Sequence, residues 1–386
     1  MSAKTILTAE NLSVGYSRNI VVDGIRFHVS SGQILTLIGP NGAGKSTILR
    51  TICKQLPAIG GTIAVCGNEL ANLREKDLAR YLSVVLTDRL SAERMTCGDV
   101  AATGRYPFTG SLGFLTDHDR AVVRSAMEMV GTADLFDRDF REISDGQRQC
   151  VMLARAIAQE PELLLLDEPT SFLDISHKLY ILSLLRRLVH DRGIGVIQSL
   201  HELDLAQKFS DTVLCIRSGK ADRIGTPEEI FTGSYISDLY GIRTGQYDPL
   251  FGTVEPAGTA GDPQVFVIGG GGAGISVYRR LQRAGIPFAA GVLHENDLEY
   301  PTARALASKI VTESAFEPIT EKAEQEAAAI MSQCFRVICC TSHFASGNRR
   351  NANLRDLAEQ TGKLITAEDY WSELSAAESQ RPESVR

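Results

Sequence analysis

The chain lacks a long hydrophobic run. Its longest apolar blocks, such as residues 163–166, have the length of a β-strand, whereas a helix that crosses a membrane needs about 18 apolar residues or more. The opening segment, MSAKTILTAENLSVGY, has no basic start followed by an apolar block and so carries no sign of a secretion signal. We therefore expect any membrane role of this chain to depend on a separate partner.

The chain also lacks a C-x-x-C pair and a surplus of basic residues. Without paired cysteines a zinc site or a redox motif is disfavoured, and unpaired cysteines suit a reducing compartment such as the cytosol. The 40 basic and 47 acidic residues give a net charge of −7, which argues against a chain whose main task is to hold nucleic acid. Most of the cysteines stand in apolar stretches and are predicted to be small core residues. The eight are Cys53, Cys66, Cys97, Cys150, Cys215, Cys334, Cys339 and Cys340.

Residues 1–252 are predicted to form an α/β domain with a largely parallel core sheet. Short apolar runs alternate with helical patterns, and the runs are nearly continuous, as in strands covered on both faces. The segment 6–29 shows more β-branched alternation and predicts an antiparallel flank. The predicted strands are 34–38, 82–86, 163–166, 195–200 and 212–216, and the predicted helices are 119–130, 146–159 and 177–191.

A second, smaller α/β domain is predicted at residues 264–370. Residues 253–263, before it, are rich in Gly, Pro and small side chains and are predicted to be a linker. Residues 371–386 contain few large apolar side chains and are predicted to form a disordered tail. The predicted strands of the second domain are 265–268, 288–293, 336–341 and 364–366.

The segment GPNGAGKST at residues 39–47 matches the phosphate-loop pattern G-x-x-x-x-G-K-[ST]. It follows a predicted strand and precedes the helical pattern 46–53, which is the context that the motif requires. Glycines let backbone N–H groups curl around phosphate oxygens, and the new helix presents its positive end to the same anion. Lys45 is predicted to reach the β- and γ-phosphates, and Ser46 is predicted to hold Mg²⁺. The predicted nucleotide contacts of this loop are Gly39, Asn41, Gly42, Gly44, Lys45, Ser46 and Thr47.

Two carboxylates, Asp167 and Glu168, follow the apolar run LLLL. A carboxylate at the end of a buried strand beside a phosphate loop is placed to assist Mg²⁺, and its neighbour can polarise the attacking water. We predict Asp167 as a metal ligand and Glu168 as the catalytic base. The alternative is a solvated strand end.

With these motifs the chain resembles the ABC ATPase family over residues 4–245. The discriminating feature is ISDGQ at residues 143–147, which is similar to the family signature L-S-G-G-Q at the start of a helix. The resemblance implies a helical subdomain and a homodimer that sandwiches two Mg-ATP molecules. It also implies that Ser144, Gly146 and Gln147 serve the γ-phosphate held by the other subunit. In isolation, the serine or the aspartate of this segment would be an ordinary helix cap.

Three further segments fit the resemblance. Tyr16, in SVGY, resembles the aromatic residue that stacks on adenine, and a half-buried strand aromatic is the alternative. His201 stands at a predicted strand end and resembles the histidine that senses the γ-phosphate and helps to hold the attacking water. The segment SFLD at residues 171–174 resembles the loop that helps to build the dimer interface.

Three departures from the family pattern affect the prediction. Thr87 stands where the family usually has a glutamine; threonine is shorter and has no amide, so the resemblance alone does not carry a Mg²⁺ contact to Thr87. Asp145 replaces a glycine of the signature and brings a carboxylate near a phosphate unless it points away or caps the helix. Cys150 replaces a basic residue. Because the lysine, both carboxylates and the histidine are kept, we still expect hydrolysis.

The stretch GRYPFT at residues 104–109 points to a subclass. A G-R-x-P stretch here is similar to the ATPases of iron-siderophore, haem and cobalamin importers. The resemblance implies a separate integral-membrane permease and, indirectly, an extracytoplasmic substrate-binding protein, with this chain peripheral on the cytoplasmic face of the membrane. No nucleic-acid partner is expected. The alternative is a soluble ABC ATPase that acts on ribosomes, DNA or iron–sulfur assembly.

The second domain carries GGGGAG at residues 269–274, which fits G-x-G-x-x-G. This segment follows a predicted strand and opens the helical pattern 275–283. Glu295 stands where a dinucleotide fold places its ribose-binding acid. The pattern predicts a nucleotide or another anionic ligand at the start of the helix. A tight turn without a ligand is one alternative, and an enzyme or sensor domain fused to the ATPase is another.

Overall fold

The computed structural model describes residues 4–86, 94–110, 113–171 and 173–379. The chain forms two compact units, Met1–Gly241 and Ile242–Arg386. Among the described helices, none combines the length and the apolar character that a membrane span requires.

The first unit contains a sheet with an antiparallel flank and a parallel core. Its ten strands within the described residues are β1 (Thr5–Tyr16), β2 (Asn19–Ser30), β3 (Ile34–Ile38), β4 (Gly60–Val65), β5 (Asn68–Glu69), β6 (Leu82–Val85), β7 (Leu163–Asp167), β8 (Gly195–Ser199), β9 (Thr212–Arg217) and β10 (Lys220–Gly225). Their spatial order is β5-β4-β1-β2-β10-β9-β3-β8-β7-β6. The β5–β4–β1–β2 flank is antiparallel, and β9, β3, β8, β7 and β6 are parallel. This arrangement confirms the predicted α/β fold class.

The central strands owe their position to their apolar sequences. Strands β3 (ILTLI), β7 (LLLLD) and β8 (GVIQS) are buried at every residue, as expected for parallel strands covered on both faces. Strand β8 lies between β3 and β7, and their carboxyl ends meet at one edge of the sheet. The segments that follow these three strands therefore converge there.

Nine described helices accompany this sheet, and three of them form a helical subdomain. They are α1 (Lys45–Ile52), α2 (Glu75–Leu78), α3 (Cys97–Ala102), α4 (Asp117–Met129), α5 (Asp145–Ala158), α6 (Ile175–Arg192), α7 (Leu203–Phe209), α8 (Pro227–Ile230) and α9 (Gly233–Tyr240). Helices α3, α4 and α5 pack against one another. Arg105, of the GRYPFT stretch, is buried among them and donates to Asp119 at 2.8 Å and to Glu160 at 2.7 Å. This arginine is thus a structural residue of the subdomain.

The second unit is a doubly wound parallel sheet. Its described helices are α10 (Ile275–Arg283), α11 (Tyr300–Leu306), α12 (Glu321–Gln333), α13 (Arg349–Gln360) and α14 (Ala367–Ser379). Its strands are a hairpin of β11 (Gly245–Asp248) and β12 (Thr253–Pro256), and a sheet of β13 (Val265–Ile268), β14 (Phe288–His294), β15 (Lys309–Glu313), β16 (Arg336–Cys339) and β17 (Leu364–Ile365). The sheet order is β15-β14-β13-β16-β17, with every pair parallel. The connection reverses direction beside β13, as in a Rossmann-like fold.

Two predicted boundaries require correction. The first unit ends at Gly241 rather than at residue 252, and the predicted linker 253–263 begins with β12, which pairs with β11. The predicted tail from residue 371 is wrong up to Ser379, because α14 continues through it. Trp371 is only 7% exposed and anchors this helix in the core of the second unit. Residues 380–386 lie outside the described residues.

Candidate nucleotide-binding site

The predicted phosphate loop lies between β3 and α1. Gly39, Gly42 and Gly44 have φ values of 147°, 77° and 108°. Residues other than glycine rarely adopt such backbone conformations. A Cβ atom at Gly44 would also collide with the side chain of Val22 on β2. Helix α1 begins at Lys45 with no side-chain cap, so its positive end faces the loop.

The ammonium group of Lys45 is held inside this loop. Its Nζ atom donates to the carbonyl oxygens of Gly39 at 2.7 Å and Pro40 at 3.1 Å, and the residue is 6% exposed. Burial lowers the pKa of the ammonium, while the charges of Glu168 and Asp167 work in the opposite direction. Phosphate oxygens at this position would offer Lys45 stronger, charge-assisted hydrogen bonds.

Ser46 and Asp167 meet although 121 positions separate them. The Ser46 hydroxyl donates to Asp167 Oδ1 at 3.1 Å, and the hydroxyl of Ser199, at the end of β8, donates to the same oxygen at 2.7 Å. Oxygen ligands of this kind are those that Mg²⁺ prefers. The donor set therefore fits the metal that was predicted for Ser46 and Asp167.

Glu168 and His201 form a hydrogen-bonded pair beside Ser46 and Asp167. His201 Nε2 lies 2.5 Å from Glu168 Oε1, and the Ser171 hydroxyl donates to Glu168 Oε2 at 2.8 Å. Burial alone would raise the pKa of the Glu168 carboxyl, but hydrogen bonds from His201 and Ser171 hold that pKa below its usual value. Glu168 also adopts a φ of 51°, an uncommon conformation for a residue other than glycine. The arrangement fixes an ionised carboxylate, which can accept a proton or orient a water molecule.

The signature segment caps helix α5. Ser144 is the N-cap; its hydroxyl accepts from the Gln147 amide at 3.3 Å, and its own amide donates to Gln147 Oε1 at 3.0 Å. Within the described residues, no hydrogen bond joins Ser144, Gly146 or Gln147 to the phosphate loop of the same chain. Capping and anion binding use the same end of the helix, so this geometry is compatible with both interpretations.

Asp145, the departure in the signature, has a local partner. Arg148 donates to Asp145 Oδ1 at 2.8 Å. The same guanidinium donates to the carbonyl oxygens of Phe140 at 3.3 Å and Arg141 at 2.7 Å. These bonds fix the Arg148 guanidinium. Its bond to Asp145 therefore holds that carboxylate against the side of α5, one turn from the start of the helix.

Two predicted residues lie apart from this cluster. Tyr16 ends β1, pairs with Asn19 across the β1–β2 hairpin and is 49% exposed, so its ring is accessible. Thr87 lies outside the described residues.

Ser199 and Tyr240 belong to the site and were missed from the sequence. The buried amide of Gly39 donates to the Tyr240 hydroxyl at 3.1 Å, and burial raises the pKa of Tyr240 to about 12. Ser199 carries a signal, because it is a polar residue that ends an apolar strand and pairs in register with Asp167. Tyr240 belongs to no motif and comes close only through the packing of α9.

Comparisons with known proteins find relatives for both units of the chain. A family profile described as "ABC transporter" matches residues 22–171, and one described as "MJ0874 family" matches residues 288–382. An ABC transporter ATP-binding protein of Methanocaldococcus jannaschii, MJ0873, is 40% identical over 72% of this chain and 96% of its own length. A cobalamin import ATP-binding protein of Halobacterium salinarum, BtuD, is 34% identical over 77% of this chain and 76% of its own length. A solved metal-chelate type ABC transporter in an inward-facing conformation has 28% identity and a TM-score of 0.54 over 61% of this chain and 88% of its own.

Replacing Tyr240 should weaken nucleotide binding. The change Tyr240→Phe removes the acceptor of the buried Gly39 amide, a loss of about 1–3 kcal/mol. The free loop should then leave its binding conformation more often, and part of the binding free energy of ATP is used to restore it. We expect the Kd for Mg-ATP, measured by calorimetry, to rise about tenfold. The control is Tyr180→Phe, whose half-exposed hydroxyl donates to the Met129 carbonyl. Equal affinity in the two variants would contradict the role of Tyr240.

Removing Arg148 should damage hydrolysis only when Asp145 is present. Arg148→Met frees the Asp145 carboxylate at the end of α5 that the family resemblance predicts to face the γ-phosphate of a second subunit, and opposed like charges are costly. We expect kcat/KM for ATP to fall about tenfold in the native background and to change little in an Asp145→Gly background. Both backgrounds should lose a similar, modest amount of stability, because Arg148 also donates to the carbonyl oxygens of Phe140 and Arg141. The same loss of activity in both backgrounds would rule out a specific effect on Asp145.

Proposed function

We propose that this chain, which belongs to the family of ABC transporter ATP-binding proteins, drives the import of a large metal chelate or cobalamin-type molecule through a separate membrane permease. The observation that carries the ATPase part is the convergence of Lys45, Ser46, Asp167, Glu168 and His201 at one sheet edge. The import part rests on the GRYPFT stretch and on the likeness to an import ATPase and a metal-chelate transporter.

Residues of the phosphate loop and residues at the ends of β7 and β8 would each have a separate role in hydrolysis. Ser46 and Asp167 would hold Mg²⁺, which neutralises charge on the transferred phosphate. Lys45 would stabilise the negative charge that develops on the β- and γ-phosphates. Glu168 would orient the attacking water and accept its proton, while His201 keeps the carboxylate in place and contacts the γ-phosphate.

A second copy of the chain would complete each site. The Ser144–Gly146 end of α5 presents amide donors, yet it makes no hydrogen bond to the loop of its own chain within the described residues. A head-to-tail dimer lets this end reach the γ-phosphate on the partner subunit. ATP binding then closes the dimer, and hydrolysis lets it open.

The helical subdomain provides a surface for the permease. A groove of about 700 Å³ lies against α3 and α5, with Asp99, Thr103, Tyr106 and Arg155 among its lining residues. Tyr106 is 73% exposed, and exposed aromatic side chains are common at protein interfaces. We place the permease in this groove, and with it the chain at the cytoplasmic face of the membrane.

Replacing Glu168 tests the proposed chemistry. The isosteric change Glu168→Gln removes the base but leaves the contacts of the phosphate loop intact. We expect Mg-ATP to be bound and to drive dimerisation in analytical ultracentrifugation, while hydrolysis falls at least about a hundredfold. Glu75→Gln, an exposed change in α2, is the matched control and should hydrolyse normally. Undiminished turnover in Glu168→Gln would exclude Glu168 as the base.

A further inference from the structure

The glycine-rich loop of the second unit stands where a dinucleotide fold binds pyrophosphate. Residues 269–274 follow the central strand β13 and precede α10, at the point where the strand order reverses. In such folds the loop amides and the helix N-terminus receive the pyrophosphate, and glycines let the ligand approach the backbone. The fold therefore implies a dinucleotide ligand. Whether one can bind depends on whether the loop amides are free to donate to its pyrophosphate.

The amides of this loop are already bound to carboxylates of the same chain. The amides of Gly270 and Gly274 donate to the two oxygens of Glu299, the second at 3.0 Å. The Gly271 amide donates to both oxygens of Asp297, at 3.1 and 2.9 Å. Glu299 is fully buried, and its own amide donates to Asp297 Oδ1 at 3.0 Å. Two side chains thus fill the position of the anion.

The same packing explains why glycine is needed at both ends of the loop. A Cβ atom at Gly269 would lie 2.5 Å from Glu299 Oε2 and from the hydroxyl oxygen of Tyr278. A Cβ atom at Gly274 would lie 2.6 Å from the Tyr278 hydroxyl and even closer to Glu299 Oε2. The glycines make room for the chain's own buried groups.

A pyrophosphate would be opposed in this loop by the charge of the two carboxylates and by the space that their side chains occupy. Two carboxylates beside a dianion repel it, and each loop amide has one hydrogen to donate. Burial raises the pKa of the Glu299 carboxyl, although the bond from Gly270 opposes the shift. Protonation would reduce the repulsion but would leave the side chain where the phosphate has to sit.

We propose that Glu299 and Asp297 close the glycine-rich loop as an internal carboxylate clamp, so that the second unit takes no dinucleotide through its pyrophosphate. The clamp ties the β13–α10 turn to the start of α11, whose N-cap is Glu299. Glu295, the predicted ribose ligand, is exposed. If the loop excludes the dinucleotide, Glu295 has no ribose to bind. This inference is independent of the ATPase function of the first unit.

A natural probe reports on the second unit alone. Trp371 is the one tryptophan of the chain, and its ring lies 4.2 Å from the guanidinium of Arg280 on α10. With the ATP sites filled by a non-hydrolysable Mg-nucleotide, we expect NADH and NADPH at millimolar concentration to give no saturable energy transfer from Trp371. Saturable transfer at micromolar dinucleotide would overturn the proposal.

Opening the clamp should create an anion site. In the Asp297→Ala/Glu299→Ala variant, inorganic pyrophosphate should raise the melting temperature of the second unit by about 3 °C or more, with no such rise in the native chain. Glu295→Ala/Glu317→Ala, with the same change of charge, is the control and should behave as the native chain does. A native chain that pyrophosphate stabilises equally would contradict the clamp.

A conservative variant keeps the test valid if the double variant does not fold. Glu299→Gln preserves the shape of the side chain but turns an NH₂ group toward one of the two loop amides. We expect a lower melting temperature of the second unit than in the native chain. Unchanged stability in Glu299→Gln would show that the carboxylate is not what holds the loop.

Discussion

The register of three adjacent parallel strands sets the positions of the phosphate loop, of the two carboxylates and of Ser199. Strand β8 lies between β3 and β7, so that Ser199 is opposite both Leu37 and Asp167. The segments that follow the strands therefore arrive at one edge, with the phosphate loop after β3 and the carboxylates at the end of β7. A slip of one residue in β7 would turn Asp167 away from Ser46. Because β7 is buried at every residue, such a slip would draw a flanking carboxylate, Glu162 or Glu168, into the buried part of the sheet, which is costly.

The two units use the same strand–loop–helix element in opposite ways. In the first unit, Asp167 is held by the hydroxyls of Ser46 and Ser199 and Glu168 by His201, so the loop keeps a buried ammonium as its neighbour. In the second unit, the carboxylates of Glu299 and Asp297 bind the loop amides directly. A buried ammonium group attracts a phosphate, whereas two carboxylates repel one. The glycine spacing is common to both, and the side chains around it decide what the loop binds.

Sequence patterns predicted the elements that are long or strongly apolar and the residues that stand at their ends. The predicted strands 34–38 and 265–268 and the helix 275–283 agree with the structure at both ends. Strand β15, KIVTE, escaped prediction because it lies at a sheet edge and is only partly buried. Helix α14 escaped because Tyr370 and Trp371 are nearly its only anchors. Tyr240 and Glu299 could not be found from spacing, since each reaches its loop through tertiary packing.

The most direct test of the account is to ask what this chain binds in the membrane. Solubilised native membranes would be passed over immobilised Glu168→Gln chain with Mg-ATP, and over the same chain with Thr103→Arg added to fill the subdomain groove. The account predicts that a multi-span permease is retained by the first chain and lost from the second. Recovery of only soluble partners by both chains would contradict it and would favour a soluble ABC ATPase.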